Sequence, residues 1–520
     1  MQTDILIIGA GGAGLTSALI AHENGAKVTI ITKEYPTRSQ TSMAQGGINA
    51  VLDTTKDSIK AHIENSLKSA HGIADEKAIQ FLCSKAPNAI EWLDSIGVCF
   101  SRTKDAKIAQ RTLGGASAPR ACYAQDYTGL KILHTLYDRV LQTDIEILNE
   151  RYLLEIITEN NKAIGAEVLN IRTGEIESYN AKSIIIATGG YSRIYDKHST
   201  NSTASTGDGI AIALKAGARV SDMEFIQFHP TALKNSSILI SESARGAGGY
   251  LLNSKGERFI DELLPRDEVA RAIHREILKG EEVFLDIRHL GEQFIDEELP
   301  QERKLAKLYE NIDPVHQLIP IKPVAHYTMG GIEVDDNSQT QVEGLYAVGE
   351  CANHRVHGAN RLGGNSLLEL IVFGKQVGEN SAKYAQNQTD FTDIKLSQKM
   401  IDININPTID FYKIREELGE LFYTDVSILR DKKSLQIALQ KVDNFIKDIP
   451  NMGITDNSKI YNTNRIEFLE FINMLTLSRF VLIGALARDE SRGAHFRVDI
   501  PQEKESFAKH TIINKEGVIQ

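Results

Sequence analysis

The chain has 520 residues, of which 42% are hydrophobic and 24% are charged, and its formal net charge at pH 7 is −11. This length predicts two or three domains, because a single hydrophobic core stops growing at about 250–300 residues. The acidic excess argues against a nucleic-acid-binding surface. We find no run of about 18 apolar residues and expect no membrane span, and the early first strand leaves no room for a signal peptide.

The first motif lies at the N-terminus, in the segment Asp4–Leu15. The apolar run Ile5–Ile8 predicts a central parallel strand, and it leads directly into Gly9-Ala-Gly-Gly-Ala-Gly14 and an apolar helix. In a dinucleotide-binding fold these glycines allow a tight turn, close approach to a pyrophosphate and close packing of helix on strand. The second strand, Lys27–Thr32, favours this interpretation over a merely structural glycine-rich turn.

The second strand is followed by Glu34, close to the place where such folds have an acid that binds ribose, and its role stays open. The segment Ser39–Gly47 is small and polar and ends in glycines, which suits a loop whose backbone passes close to a flat cofactor. Residues 57–100 have the apolar spacing of amphipathic helices, and a further helix is expected from Leu130.

Residues 145–185 alternate as short strands with turns, which predicts a β-meander. The apolar run Ser183–Gly190 predicts a strand that returns to the nucleotide-binding sheet. The sequence Thr206-Gly-Asp208-Gly209 then opens a helix, so Asp208 is expected either to meet a cofactor hydroxyl or to cap that helix.

The stretch 222–326 carries several histidines and arginines in loops rich in glycine and proline, at Gln227–Thr231, Ser241–Gly246 and Pro265–Arg271. Single residues of this kind are usually solvated or satisfied locally, but the cluster suits a site for a small dianion. The segment Gly358–Leu368 predicts a second glycine-marked helix N-terminus, suited to an anion or a flavin ring. From about 390 to 490 the pattern is helical, and the last twenty-odd residues are expected to be irregular.

The four cysteines, Cys83, Cys99, Cys122 and Cys351, are far apart and form neither a CxxC pair nor an iron–sulfur spacing. We expect buried, reduced thiols in a cytoplasmic protein, and no metal site. If the chain is a redox enzyme, any metal relay lies on another chain.

The order of these motifs resembles the flavoprotein subunits of the succinate dehydrogenase/fumarate reductase family, which also includes L-aspartate oxidase. The resemblance runs from Asp4 to about Pro501 and rests on GAGGAG, AQGG, RxLGG, RxCxxxDxTG, ATGG, TGDG, FHPT, PRD, HYTMGG, GECA, GANRLGGNS and ESRGAH. It implies an α/β fold with a Rossmann-like FAD-binding domain in two parts (1–221 and 327–389), an inserted α+β capping domain (222–326), a helical domain (390–498) and a tail (499–520).

The resemblance also implies site residues. The two carboxylates of fumarate or succinate would be bound by His229, Ser241, Glu242, His326 and Arg361. Arg266 would transfer the proton, with Glu242 and Arg245 as its relay, and His229 would be the fourth catalytic residue. The residues expected to contact FAD are Gly9, Gly11, Gly12, Ala13, Gly14, Thr32, Lys33, Gln40, Thr41, Ser42, Ala44, Gln45, Gly46, Gly47, Asp208, Glu350, Ser366 and Leu367.

Three departures from the family pattern matter. Gln40 stands where many relatives carry a histidine that is covalently bonded to FAD, so we expect non-covalent FAD and a bias toward fumarate reduction. Ala247 replaces a glutamate of the relay motif. The tail after Pro501 is shorter than in many respiratory members, which weakens the case for docking to a standard membrane complex.

L-aspartate oxidase is the competing hypothesis, because it is of similar length and binds FAD non-covalently. A desolvated ammonium needs a partner, which that family supplies as a glutamate where this chain has Leu113. Leu113 and the pair Gly363-Gly364 favour the succinate/fumarate branch. A flavin-binding subunit without catalysis is the third hypothesis. The resemblance implies an iron–sulfur partner subunit and a cytoplasmic location, peripheral to the inner face of the membrane through partners.

Overall fold

The computed structural model describes residues 1–388, 390–392 and 403–520. Its helices are α1 Gly12–Glu23, α2 Ile59–Ser69, α3 Glu76–Ser95, α4 Thr128–Val140, α5 Asp208–Lys215, α6 Glu242–Gly246, α7 Arg266–Leu278, α8 Glu292–Glu298, α9 Pro300–Glu310, α10 Asn365–Gln386, α11 Phe411–Asp425, α12 Lys432–Asp448 and α13 Thr463–Ala487.

Its strands are β1 Gln2–Ile8, β2 Val28–Thr32, β3 Ile48–Asn49, β4 Gln110–Arg111, β5 Ala121–Cys122, β6 Glu146–Asn149, β7 Arg151–Glu159, β8 Lys162–Asn170, β9 Ile176–Ile186, β10 Val220–Ser221, β11 Ile226–Leu233, β12 Tyr250–Asn253, β13 Val283–Asp286, β14 Ile319–Thr328, β15 Gly331–Glu333, β16 Leu345–Ala347, β17 Ala352–Asn353 and β18 Ile512–Ile513.

The main sheet has the strand order β6-β2-β1-β9-β8-β7, with β16 also paired to β9. Strand β1 lies between β2 and β9 and is parallel to both, with Ile5 opposite Val28 and Ser183. A strand buried on both faces is apolar throughout, which is why the run Ile5–Ile8 is recognisable from sequence. Strands β7, β8 and β9 form the antiparallel meander, which confirms the prediction for residues 145–185.

Residues 226–328 form a second sheet, antiparallel, in the order β11-β14-β13-β12. Helix α7 packs on β11 and β14. The helix and the sheet share a separate hydrophobic core that includes Leu251, Ile273 and Ile321. This sheet places His229 on β11 and His326 on β14, since the two strands pair with each other. Helices α11, α12 and α13 build the helical part near the C-terminus.

Several local predictions were wrong in detail. The loop Ser39–Gly47 contains a 3-10 turn at Gln40–Met43. The C-terminal tail is not wholly irregular, because Ile512–Ile513 forms β18 and pairs with β10. Cys99 is exposed, whereas the other three thiols are buried. Part of the predicted helical stretch, residues 393–402, lies outside the described residues.

Helix α13 also departs from the sequence prediction about membrane spans. Among the described residues it is long and apolar enough to cross a membrane, but 67% of its most apolar window is buried inside the protein. Its buried face packs against α5 and α12. Burial of this kind is typical of a core helix, and the search for an uninterrupted apolar run missed α13 because Glu467, Glu470 and Arg479 interrupt it.

Candidate active site

A deep cavity lies at the carboxyl ends of β1, β2 and β9, where ligands bind in open α/β sheets. The space among its lining residues, including the part open to solvent, is about 1680 Å³. It runs from Arg151 and Tyr152 at one end to Arg266 and Arg361 at the other. Both the predicted cofactor residues and the predicted substrate residues therefore face one continuous space.

The N-terminus of α1 forms one wall of the cavity. Gly9 has a φ of +110°, and a Cβ there would lie 2.3 Å from the carbonyl oxygen of Ala187. A Cβ on Gly14 would lie 2.1 Å from the carbonyl oxygen of Gly9, so only glycine allows helix and strand to pack this closely. The first turn of α1 has no acidic residue, which leaves its positive dipole end open to an anion.

A second helix N-terminus, that of α10, faces the same cavity. Its N-cap is Gly364, with a φ of +83°, and its first turn also lacks acidic residues. Asn49 fixes this turn, because its amide donates to the carbonyl oxygen of Gly363 at 2.7 Å and to Asn365 Oδ1 at 2.8 Å. Ser366 and Leu367 then line the cavity, as predicted from the second glycine-rich motif.

Lys33 and Asp208 belong to a buried charge cluster at the nucleotide end. Lys33 Nζ lies 2.8 Å from Asp208 Oδ2 and 2.5 Å from Glu470 Oε1 on α13. Asp208 also accepts hydrogen bonds from Tyr152 and Asn473, each at 3.0 Å. Burial opposes the charge of Lys33, but the two carboxylates raise the pKa of Lys33 above its usual value.

The predicted helix-cap role of Asp208 is wrong. The N-cap of α5 is Gly207, in the left-handed conformation, and Asp208 is the first helical residue. With Thr206 as a further donor at 2.8 Å, its carboxylate accepts four hydrogen bonds from protein groups. Asp208 lines the cavity, but its acceptor capacity is already used, so it organises the pocket wall.

Two further groups fit a polar cofactor in the middle of the cavity. Glu350 accepts from the backbone N–H of Thr328 at 3.0 Å, and burial raises the pKa of Glu350 to about 7. Gln45 is buried and lines the cavity, and its Oε1 has no partner among the described residues. Together with the two helix N-termini, these groups supply the donors and acceptors that a dinucleotide with a flavin ring requires.

Gln40 is held in place by its own hydrogen bonds. Its Oε1 accepts from the backbone N–H of Ser202 at 2.7 Å, and its Nε2 donates to Asn201 Oδ1 at 3.3 Å. It lines the cavity, and an amide offers no nucleophilic ring nitrogen. The side chain at the position where the family resemblance implied a covalent histidine is thus fixed and unreactive.

The opposite end of the cavity is built around Arg266, the first residue of α7. Its Nε donates to Glu242 Oε2 at 2.9 Å, and its Nη2 lies 2.5 Å from the same oxygen. Arg245 approaches the other carboxylate oxygen of Glu242 at 3.4 Å. Burial opposes the charge of Glu242, but Arg266 and Arg245 hold the pKa of its carboxyl below its usual value.

His229 and His326 stand beside Arg266, with ring centroids 4.9 Å apart. Thr200 Oγ1 lies 2.8 Å from His326 Nδ1 and fixes that ring. Burial and the neighbouring cationic groups lower the pKa of both histidines well below the usual value. Both rings are therefore neutral at pH 7, and each can offer one N–H to a ligand.

Arg361 completes the group, and two of its neighbours were not predicted. Gln227 Oε1 accepts from Arg361 at 3.0 Å and from Arg266 at 3.1 Å, so one buried amide joins the two guanidinium groups. The guanidinium carbon of Arg361 lies 4.3 Å from the ring centroid of Tyr327. Gln227 belongs to the same sequence motif as His229. Because a glutamine side chain does not titrate, its residue type did not mark it as a site residue in the sequence.

Arg361 is a buried guanidinium whose charge is favoured by the carboxylates of Glu350 and Glu242 without a direct contact. No ion pair of its guanidinium is found in the part of the chain that the structure describes, and its Nε has no hydrogen-bond partner there. Burial and the charge of Arg266 lower the pKa of Arg361 to about 10, so it still carries its proton at pH 7. A buried, unpaired guanidinium facing a cavity is suited to bind a carboxylate.

Most predicted site residues line the cavity. On the substrate side these are His229, Ser241, Glu242, Arg266, His326 and Arg361, and on the cofactor side Gly9, Gly11, Gly12, Ala13, Thr32, Lys33, Gln40, Thr41, Ala44, Gln45, Gly46, Gly47, Asp208, Glu350, Ser366 and Leu367. Three lie behind the wall: Gly14 against β1, Ser42 bonded to the carbonyl of Ser39, and Arg245 behind Glu242. Glu34 also lines the cavity.

Comparison with known proteins agrees with this geometry. Residues 4–367 match the FAD binding domain family, and residues 415–519 match the family of the fumarate reductase flavoprotein C-terminus. The 8-methylmenaquinol:fumarate reductase flavoprotein subunit of Wolinella succinogenes is 38% identical, over 99% of this chain and 89% of the relative. The succinate dehydrogenase flavoprotein subunit of Coxiella burnetii is 37% identical, over 100% of this chain and 95% of the relative.

The fold comparison points the same way. A solved quinol-fumarate reductase with menaquinol molecules superposes with a TM-score of 0.96 and 35% identity, covering 100% of this chain and 97% of the other. The predicted fold class is therefore confirmed, and the L-aspartate oxidase hypothesis is not favoured. The chain is an FAD-dependent oxidoreductase and belongs to the family of fumarate reductase and succinate dehydrogenase flavoprotein subunits.

Proposed function

We propose that this chain interconverts fumarate and succinate, with fumarate reduction as its favoured direction. The observation that carries the proposal is the group of two guanidinium and two imidazole side chains, Arg266, Arg361, His229 and His326, at one end of a cavity with two helix N-termini. Together with Arg245, the guanidinium groups exceed the one carboxylate of this site, Glu242, by two positive charges, which would balance a small dianion. The family membership supports the same substrates.

Binding of a C4 dicarboxylate would use the two ends of this group. Arg361, which forms no direct ion pair with a described residue, would bind one carboxylate as a bidentate partner. His229 and His326 would donate N–H groups to the other, with the Ser241 hydroxyl close by. Both histidines stay neutral, so they bind without adding a further charge to the buried site. Polarising both carboxylates draws electron density from the central double bond.

Proton transfer is assigned to Arg266. Reduction of fumarate adds a hydride to one central carbon and a proton to the other. Arg266 would give the proton from its guanidinium, and Glu242 at 2.9 Å would return one to it. Because Glu242 is a carboxylate, the proton that it passes on would come from Arg245, which would regain one from solvent. In a site closed to water, positioned acids of this kind typically accelerate reactions by about 10²–10⁴-fold.

FAD, when bound, supplies the hydride. In this chain the glycine turn after β1, the start of α10 and the acceptors Gln45 and Glu350 would hold it. We further propose that the bond to FAD is non-covalent, because Gln40 occupies the position of the covalent histidine. Loss of that bond in the family lowers the flavin potential, which is the basis for the proposed bias toward fumarate reduction.

The electron partner is proposed to be a separate iron–sulfur subunit. Among the described residues, no group of three or more histidines, cysteines or acidic residues could hold a metal ion. The chain would then lie at a membrane surface only through partner subunits. The domain division near 221, 327 and 390 remains part of the same proposal.

The direct test compares three reactions of the purified, FAD-loaded protein. We expect fumarate reduction with reduced viologen to be fastest, succinate oxidation with a dye to be slower, and L-aspartate oxidation to be absent. Turnover of L-aspartate above that of both dicarboxylates would overturn the proposal. Leu113, which lines the cavity near Gly363, offers no partner for an ammonium group.

A further inference from the structure

A buried pair of carboxyl groups joins the first part of the chain to the segment 222–326. Asp126 precedes α4, and its Oδ2 accepts from the backbone N–H groups of Gln301 at 2.7 Å and Glu302 at 3.3 Å. These two N–H groups belong to the first turn of α9. Asp126 therefore caps a helix from a different part of the chain, where a negative charge is favoured by the helix dipole.

Glu302 lies on that same turn and is fully buried, as is Asp126. Its Oε1 accepts from the backbone N–H of Ser241 at 3.2 Å. The remaining oxygens, Asp126 Oδ1 and Glu302 Oε2, are buried and have no partner among the described residues. Two neighbouring buried carboxyl groups cannot both be ionised without a large free-energy cost. The unpartnered oxygen of either group is a position at which a proton would bind.

In the part of the chain that the structure describes, no cation forms an ion pair with Asp126 or Glu302. The charged and titratable groups around these two are Arg111, Tyr123, Tyr127 and Glu298. Arg111 is the one cation in this set, and its guanidinium donates to the backbone carbonyls of Gly46 and Gln45 instead. Glu298 adds a further negative charge at the end of α8.

The pair is coupled to the catalytic group through Ser241. Ser241 is the N-cap of α6, and its hydroxyl accepts from the N–H of Ser243 at 3.1 Å. Helix α6 carries Glu242 and Arg245. The hydrogen bond from the backbone N–H of Ser241 to Glu302 therefore fixes the position of these two relay residues relative to α9. The substrate residues are all buried, so their surroundings depend on how closely the segment 222–326 packs on the rest of the chain.

We propose that Asp126 and Glu302 hold one proton between them and act as a positioning pair for this reaction. With the proton present, the pair keeps α9 and α6 docked over the cavity. When the proton is lost, two neighbouring charges repel each other and the segment opens. The effect of this pair on catalysis rests on the proposed function. Its effect on the docking of α9 and α6 over the cavity does not.

The direction of the pH dependence follows from burial. Burial raises the pKa of Asp126 to about 6, and burial with the charge of Asp126 raises the pKa of Glu302 well above its usual value. An acid with a higher pKa in the closed than in the open state favours closure while it is protonated. Closure is therefore strongest at low pH and is lost as the pH rises through these values.

The test uses hydrogen exchange of the FAD-loaded full chain. In the wild type we expect the protection of the Gln301 and Glu302 amides to fall at least about tenfold between about pH 6 and about pH 9, after correction for intrinsic exchange. Glu302→Gln keeps an acceptor for Ser241 but cannot ionise, so its protection should stay constant over this range. Glu91→Gln, an exposed acid on α3, is the control and should behave as the wild type.

A second measurement detects the proton itself. Infrared spectra of the wild type and of Glu302→Gln, both with isotope-labelled glutamate, should differ at neutral pH by the carbonyl stretch of a buried protonated carboxyl group, since Glu350, whose pKa is also raised, contributes to both spectra. If this band is absent, or if Glu302→Gln keeps the pH dependence of the wild type, the proposal is wrong. Both measurements are made without turnover, so failure to reduce fumarate would overturn the proposed function and leave this result standing.

Discussion

Arg266 and Glu242 form a buried ion pair in which Nε donates to Oε2 at 2.9 Å and Nη2 lies 2.5 Å from the same oxygen. The pair places a guanidinium at the cavity and its proton source directly behind it. If the only role of Glu242 were to neutralise the charge of Arg266, its carboxylate could contact the guanidinium group from any side. Here it connects Arg266 to Arg245, which lies behind the cavity wall, and so defines a path that leads away from the ligand.

Replacing Arg266 tests this role. Arg266→Ala should lower kcat for fumarate reduction by at least about 10²-fold, because a positioned acid contributes about 10²–10⁴-fold. FAD content, measured from the flavin absorbance of the folded protein, should not change. Arg288→Gln, in which the lost side chain is half-exposed and paired with Asp286, is the matched control. Activity near the wild-type level in Arg266→Ala would remove Arg266 from the mechanism.

The state of the cofactor follows from Gln40. Acid precipitation of the holoprotein should release all of the FAD into the supernatant, where its fluorescence is measured. The reason is chemical, since an amide cannot replace the ring nitrogen of a histidine in a covalent bond. Gln40→Ala should release FAD equally completely and serves as the comparison. Flavin that stays with the precipitated polypeptide would contradict this prediction.

Gln227 is expected to set the affinity for the dicarboxylate. Gln227→Leu removes the shared acceptor of Arg266 and Arg361 and leaves two buried guanidinium N–H groups without a partner. A buried unsatisfied donor costs about 1–3 kcal/mol, so kcat/KM for fumarate should fall roughly 5- to 150-fold. Gln293→Leu on the surface of α8 is the control. An unchanged kcat/KM would show that the two guanidinium groups are positioned by other contacts.

The charge cluster at the nucleotide end is expected to control both stability and cofactor retention. Lys33→Met leaves Asp208 and Glu470 buried without their cation, and breaking a buried pair costs about 3–5 kcal/mol. Urea unfolding should show this loss, together with faster FAD release. Tyr152→Phe removes one of four donors to Asp208 and should cost about 1 kcal/mol. Equal effects of the two variants would argue against a charge-based role.

The C-terminal strand should detach in a pH-dependent way. His510 Nδ1 lies 2.6 Å from Asp222 Oδ2. Burial lowers the pKa of His510, but the charge of Asp222 outweighs it and the net pKa is raised. A raised histidine pKa means that the pair contributes its full stability below the ordinary value near 6.5 and loses it as the pH rises through the higher, folded-state value.

The measurement for this pair is thermal unfolding. The wild type should be more stable than His510→Gln by about 1–3 kcal/mol at about pH 6, and the difference should shrink at about pH 9. His134→Gln, on α4 and remote from Asp222, should follow the wild type at both values. A difference that grows with pH would mean that the ion pair does not hold the tail.

The sequence predicts those parts of the fold that depend only on residues close together in the chain. Gly9 and Gly14 mark the turn after β1 because each has a steric reason to be glycine, and the apolar run after Lys182 marks the neighbouring strand. The substrate residues were found through a family resemblance. Neither the spacing of His229 and His326 in the chain nor their residue type shows that their rings lie 4.9 Å apart.

The parts that sequence could not predict depend on contacts between distant segments. Asp208 was expected either to meet a cofactor hydroxyl or to cap its helix, but donors from β7, α13 and the end of β2 determine its role. Glu302 lies in a stretch, Pro300–Glu310, whose polar composition is typical of an exposed helix, yet it is fully buried. Only the packing of α9 on the loop that holds Asp126 explains this burial.

The contact of Lys33 with Glu470 also bears on how the protein is made. Lys33 is synthesised more than four hundred residues before its partner on α13, and until that helix has left the ribosome the wall around Asp208 lacks one of its two carboxylates and the amide of Asn473. We therefore expect flavin insertion to follow the synthesis of α13, and nascent chains that stall before residue 470 should emerge without cofactor.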